Sequence, residues 1–200
     1  MLKNYFLGNC IEAGCDEAGR GCLAGPVVAA AVILPPAYCN EVLNDSKKLS
    51  EKTRRELRVE IESTALSWAV AFVDNREIDR LNILKASIIA MHRALDKLTT
   101  LPQHIIVDGN KFYNYKNIPY TCVVKGDSKF MSIAAASVLA KTHRDEYMFG
   151  ASKKFAGYNW EHNKGYPTKD HREAIVKLGV CELHRKSFRL LNEQMAIDFN

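Results

Sequence analysis

The most constraining stretch of this chain is the run Val27 to Leu34, V-V-A-A-A-V-I-L, stopped by Pro35-Pro36. It is the longest apolar stretch, and it has the length of a strand, well short of the roughly 18 residues a membrane span needs. Upstream, Ile11 to Asp16 reads as a short strand that runs into a glycine-rich bend at Gly19-Arg20-Gly21. Two strands joined by so short a link are antiparallel neighbours, so the chain is expected to begin as an antiparallel sheet.

Further elements extend that sheet. Ser50 offers an N-cap to an amphipathic helix over Glu51 to Leu66, Trp68 to Val73 reads as a third strand, and Asn75 onward as a short turn. Asn82 opens a long helix with Ile83, Leu84, Ile88, Met91, Leu95 and Leu98 on one stripe, ended at Leu101-Pro102. His104 to Asp108 is a fourth strand and Tyr120 to Val124 a fifth. Met131 to about Lys154 is helical, and Thr168 caps a last helix closed by Gly179. Three strands come first, and strands then alternate with helices. The pattern predicts an α/β fold whose mixed sheet is antiparallel at the start and parallel afterwards, flanked by helices. After Gly157 the chain turns polar, aromatic and basic. Residues 1–157 are therefore expected to form the main domain, and residues 158–200 a small helical extension and tail packed on it.

With 200 residues, 47% apolar and 26% charged, the chain can bury a core without disulfides or a structural metal. A net charge of +5 permits a nucleic-acid partner without demanding one. Cysteines 10, 15, 22, 39, 122 and 181 form no C-x-x-C pair and read as reduced, packed thiols. Met1 to Cys10 lacks a basic start followed by a long apolar block, so a soluble, cytoplasmic protein is expected.

Acids fall where apolar runs stop. Asp16 and Glu17 end the first strand, Asp108 the fourth, and Asp127 follows the fifth in V-V-K-G-D-S. Active sites of open α/β sheets lie at strand ends. Clustered carboxylates repel unless one takes up a proton or a hard cation joins them. An oxygen-only set without histidine or cysteine suits Mg2+ or Mn2+, and two such ions clamp a phosphodiester. Neighbours on a strand point to opposite faces, so Asp16 and Glu17 converge only where the strand bends.

At this point the residues carry a family resemblance. G-C-D-E-A-G-R-G-C-L-A-G-P-V-V-A-A-A-V-I-L (14–34) resembles the signature of the type 2 ribonucleases H, specifically bacterial ribonuclease HII. The likeness continues through N-D-S-K-K-L-S (44–50), E-I-D-R-L-N-I-L (77–84), I-V-D-G-N (106–110) and V-K-G-D-S-K (124–129). It runs on through I-A-A-A-S-V-L-A-K-T-H-R-D (133–145), H-N-K-G-Y-P-T-K-D-H (162–171) and H-R-K-S-F (184–188). The blocks span nearly the whole chain in order. The resemblance implies a ribonuclease H-like fold and cleavage of RNA in RNA–DNA hybrids, including single ribonucleotides embedded in duplex DNA. It carries the four-carboxylate, metal-binding site onto Asp16, Glu17, Asp108 and Asp127, the glycine-arginine-glycine loop onto Gly19, Arg20 and Gly21, and the substrate-sensing tyrosine onto Tyr166. One departure from the family pattern, His143, lies outside the acid set.

Physical roles for the surrounding residues follow. Glycines flanking Arg20 allow backbone to approach a ribose 2′-hydroxyl, or simply make a tight turn. Tyr166, held in Gly165-Tyr166-Pro167, packs on a sugar or belongs to the core. Ser137 and Lys141 share a helix face, where Lys141 meets a phosphate or neutralises the acids. Lys47, with Lys48, Lys52, Arg54 and Arg55, is a solvated face or a duplex-backbone contact. His162, His171 and His184 read as surface or phosphate-near residues. Two divalent ions, a hybrid or ribonucleotide-containing duplex as substrate, and a monomeric enzyme complete the expectation. The tail Gln194–Phe199, with apolar Met195, Ile197 and Phe199, either covers the protein's own core or resembles the glutamine-led segments by which bacterial repair enzymes dock on the sliding clamp.

Overall fold

The alanine-rich run is the heart of the sheet. In the computed structural model, which describes residues 2–191, β1 (Glu12–Ala18) and β2 (Val27–Ile33) pair antiparallel, and every residue of β2 is buried. β3 (Ser67–Val73) pairs antiparallel with the other side of β2. β4 (His104–Asp108) lies parallel to β1, and β5 (Tyr120–Val123) parallel to β4. The order is β3-β2-β1-β4-β5, the mixed sheet that the strand pattern predicts.

Helices cover both faces. Between the strands run α1 (Glu51–Thr64), α2 (Asn75–Leu81) and α3 (Ile83–Asp96); α4 (Met131–Lys154), α5 (Trp160–Asn163) and α6 (Lys169–Leu178) follow. The apolar stripe of α3 packs Ala86, Ile88 and Met91 against Ala29, Ala31, Ile105 and Val107. On the opposite face, α4 (through Ala134, Ala135 and Val138) and α1 (through Leu57 and Ile61) cover Ala30 and Val32. Small residues let α4 lie unusually close to the sheet. A Cβ placed on Gly14 of β1 would stand 2.3 Å from the backbone carbon of Ser132 and 2.4 Å from the backbone nitrogen of Ile133.

The structure corrects two sequence expectations. The first strand runs on to Ala18, so Asp16 and Glu17 lie within it rather than at its end. The segment from Asn75 is a helix, not a turn. The Asp74 side chain accepts from the Glu77 amide, an N-cap legible in D-x-x-E. Asn82, at φ 69°, then separates α2 from α3. The single-turn α5 is too short to leave a periodic signal. Thr168 caps α6 and Gly179 closes it, as the sequence indicates. Tyr158, Trp160 and Ile175 pack against Leu23, Ala24 and Met148, binding the C-terminal segment to the loop after β1. Among the described residues, no helix is long and apolar enough to cross a membrane.

Candidate active site

Local backbone geometry draws the four acids together. Asp16 faces the α4 side of the sheet, where its carboxylate accepts from the Ser137 side chain and from the Glu17 amide at 2.7 Å. Asp108 ends β4, and its Oδ1 accepts the Gly126 amide at 2.7 Å. That bond ties the turn carrying Asp127 to the end of β4. Lys125 precedes it in the left-handed region, at φ 56°. A Cβ on Gly126 would stand 2.6 Å from Ile133 Cδ1 and 3.5 Å from Asp108 Oδ1, so this close approach uses glycine's missing side chain.

Electrostatics show that the acids feel one another. Burial pushes the Asp16 carboxyl well above the usual carboxylate range, and repulsion from Glu17 and Asp108 adds to it. Burial also raises Glu17. Arg20, whose Nη1 donates to Glu17 Oε1 at 3.1 Å, opposes the rise, while Asp108 adds to it. Asp127 is pushed up to about 6, first by burial and then by Asp108 and Asp45. Glu17 and Asp16 thus both address Asp108 although they are adjacent on a strand.

The structure adds two residues that sequence reasoning missed. Asp45 stands beside Asp127 and adds to the rise of its carboxyl. Ser46 Oγ meets Ser137 Oγ at 2.9 Å, so the chain Asp16–Ser137–Ser46 fastens the 45–47 turn beside the acids. Lys47 is brought near Glu17 and Asp127, lowering both. The signal was present in the N-D-S-K-K-L-S block, but nothing local told where that block would land.

Other expected site residues divide. Gly19 sits at φ 93°, and a Cβ there would strike Arg144 Nε at 2.0 Å. A Cβ on Gly21 would meet nothing within 4 Å. Buried Arg144 and Arg185 hold this loop from below: Arg144 donates to the carbonyls of Ala24, Pro26 and Lys164, and Arg185 to those of Arg20 and Gly25. Arg20 is half exposed. Lys141 is held by Asp145, its Nζ 2.6 and 2.7 Å from the two carboxylate oxygens, and lies 5.6 Å from the centre of the Tyr166 ring. Tyr166 is partly buried, shares a hydrogen bond with Cys22, and has its hydroxyl pushed up to about 12 by burial. His162 is exposed, but His171 and His184 are wholly buried, which corrects their surface reading. They sit under Trp160 and Tyr158 because the C-terminal segment folds over them. His143 pairs with Glu62 at 2.8 Å, joining α4 to α1 away from the acids.

The donor chemistry fits hard divalent ions. Among the described residues, no three His, Cys, Asp or Glu side chains already form a set that could hold an ion. Magnesium-type sites, however, use one or two carboxylates, retained waters and substrate phosphate oxygens, so a complete protein cage is not required. The repulsion among Asp16, Glu17, Asp108 and Asp127 is the load a cation relieves.

A five-stranded mixed sheet in the order β3-β2-β1-β4-β5, flanked by helices and carrying a group of interacting carboxylates, places this molecule among proteins of the ribonuclease H-like fold. Bst-RNase HIII, solved in complex with Mn2+, superposes with a TM-score of 0.76 at 23% identity, over 96% of this chain and 70% of that one. RNase HII of Archaeoglobus fulgidus, solved as a complex with PCNA, matches at TM-score 0.69 and 25% identity, over 88% of this chain and 92% of that one. The family model for ribonuclease HII matches residues 13–191. The ribonuclease HII of Parabacteroides distasonis is 58% identical over 199 residues, 100% of each chain. The chain belongs to the ribonuclease HII family and is an endoribonuclease, a hydrolase.

Proposed function

We propose that this enzyme hydrolyses the RNA strand of RNA–DNA hybrids and cuts 5′ to single ribonucleotides embedded in duplex DNA, leaving 3′-hydroxyl and 5′-phosphate ends. Asp16, Glu17, Asp108 and Asp127 are the catalytic and metal-binding acids, served by two Mn2+ or Mg2+ ions. The observation that carries the reading is the shared electrostatics of these acids beside a loop whose Gly21 leaves open space. The ions would activate water and stabilise the leaving oxygen of an in-line displacement. The protein's own part is positional. Ser137 and the Glu17 amide orient Asp16, and Gly126 orients Asp108. Arg20, steadied by Glu17, meets a phosphate, and the backbone of the Gly19-Arg20-Gly21 loop, open at Gly21, reaches the 2′-hydroxyl. Lys47, Ser137, Lys141 and Tyr166 complete the substrate-binding set, Tyr166 against the sugar.

The test is a DNA duplex containing one ribonucleotide, incubated with Mg2+, Mn2+ or excess chelator, with the cut mapped. A single 5′ cut that needs the ion is expected. A 2′,3′-cyclic phosphate product or full activity in chelator overturns the reading.

We further propose a monomeric, cytoplasmic repair nuclease whose Gln194–Phe199 segment docks on the sliding clamp. That segment lies outside the described residues. The complex of the Archaeoglobus fulgidus relative with PCNA supports this reading. Deleting residues 194–200 should abolish clamp binding by calorimetry without changing the melting temperature. Absence of binding by the full-length protein at tens of micromolar overturns it.

A further inference from the structure

The buried histidines form a hydrogen-bond chain with a fixed direction. The Cys181 amide donates to His184 Nδ1 at 2.9 Å. An amide can only donate, so His184 carries its proton on Nε2. Trp160 Nε1 donates to His171 Nε2 at 2.9 Å, so His171 carries its proton on Nδ1. His184 Nε2 lies 3.3 Å from His171 Nε2 and is a second donor to the same lone pair. His171 Nδ1 then donates to the Tyr166 carbonyl at 2.9 Å. Every donor in the chain points toward Tyr166. Both imidazoles are fully buried, and burial pushes both below their ordinary range, so the pair stays neutral at neutral pH.

This chain has a place to act. The Tyr166 carbonyl also accepts the Thr168 amide at 2.8 Å, and the Tyr166 amide donates to Asn163 at 2.9 Å. The backbone beneath the ring is thereby held on both sides of one residue. The far end is anchored in the loop that follows β1: His184 bridges to Ala24, and Leu23 donates to Gly165 at 2.8 Å. The glycine-arginine-glycine loop and the tyrosine are thus set against each other by the same few residues.

We propose that His171, protonated on Nδ1 and held in that tautomer by Trp160 and His184, is a positioning residue that fixes Tyr166 and so sets the preference between a single ribonucleotide in DNA and a continuous RNA–DNA hybrid. The proposal rests on the role given to Tyr166 above. A single ribonucleotide offers one sugar to recognise, whereas a continuous hybrid offers many registers. A displaced tyrosine therefore costs the former more.

Asparagine and leucine have nearly the same shape, and only asparagine restores an N–H where His171 Nδ1 stands. H171N and H171L both remove the acceptor of Trp160 Nε1 and His184 Nε2, so they share that stability cost, and their difference isolates the bond to Tyr166. The expected result is that H171L lowers kcat/KM on the single-ribonucleotide duplex at least about tenfold more than on the hybrid. H171N should recover the wild-type ratio to within about threefold. Y166A is the reference. If Y166A shifts the ratio but the two His171 variants lose both substrates in proportion or do not differ, the positioning role is overturned and the reading of Tyr166 stands. If Y166A leaves the ratio unchanged, both are overturned. Should the variants fail to fold, imidazole 15N spectra of the wild-type protein decide: an Nε2–H tautomer for His171, or an Nδ1–H tautomer for His184, overturns the proposal.

Discussion

At the scale of single residues, the acids and the glycine loop make separable claims. D16N and D108N each remove a negative charge beside the phosphate path, so hybrid binding should be unchanged or tighter while cleavage is lost. Gel-based cleavage and filter binding check this. Cleavage retained within tenfold, a loss of only about 1.4 kcal/mol, overturns the assignment. The raised acids also predict a linked response to metal. The folded Asp127 carboxyl, pushed up to about 6, lies above its unfolded value near 3.9. Its contribution to stability is therefore present at low pH and is lost as pH rises through about 6. A cation takes over the proton's role, so Mn2+ should raise the melting temperature more at pH 8 than at pH 5. Buried His171 and His184 respond to pH in the opposite sense, but they do so with and without the ion and cancel in the difference. An equal or larger gain at pH 5 contradicts the coupling. The two loop glycines differ as well. G19A meets the Arg144 side chain in a left-handed backbone and should lower the melting temperature, whereas G21A meets nothing and should leave it unchanged while slowing ribonucleotide cleavage. Equal melting losses for both contradict this division.

At the scale of elements, the packing of α4 on β1 decides where the site is. Gly14 permits backbone contact with Ser132 and Ile133, and this contact brings Ser137 to Asp16. G14A forces that contact apart. Overpacking costs about 1–3 kcal/mol, and more against backbone that cannot yield. A loss of about 3 kcal/mol corresponds to a fall of roughly 6–12 °C for a chain of this length. Thermal denaturation followed by circular dichroism measures it, and a shift under about 2 °C contradicts the close approach. The sequence exposed the small run Ala134 to Ala136 on the helix side. It gave no comparable sign that Gly14 was the matching hollow, because an isolated glycine in a strand is equally a bulge or a bend.

At the scale of the whole molecule, we propose that residues 158–200 are an extension that completes the main domain of 1–157 rather than a separable unit. Arg185 reaches from this segment to the Arg20 and Gly25 carbonyls, and Arg144 in α4 reaches out to Lys164. Truncation after Gly157 would uncover Leu23, Ala24 and Met148 and remove one acceptor from a wholly buried guanidinium. The fragment 1–157 is therefore expected to lack a sharp melting transition. A cooperative melt with wild-type cleavage would show the extension to be dispensable.

The sequence by itself determined what depends on near neighbours. The apolar run of β2, the caps at Ser50 and Thr168, the stop at Gly179 and the strand-end aspartate Asp108 are all written in spacings of a few residues, and the structure has them where the pattern put them. The mixed direction of the sheet was also legible in the strand pattern, but the order of the strands was not: β2 and β3 are antiparallel although α1 lies between them, and β4 and β5 are parallel with no helix between them. Tertiary structure alone decided which distant segments meet. Ser46 and Ser137 are 91 positions apart in the chain, and no periodicity relates them. Only the seating of α4 on Gly14 brings the Asp45–Lys47 turn to the acids. His171 and His184 likewise have the polarity of surface residues, and they are buried because Trp160, the Tyr166 carbonyl and the Cys181 amide satisfy their ring nitrogens. Burial of a polar side chain is decided by the partners that the fold delivers to it, and those partners are not local in sequence.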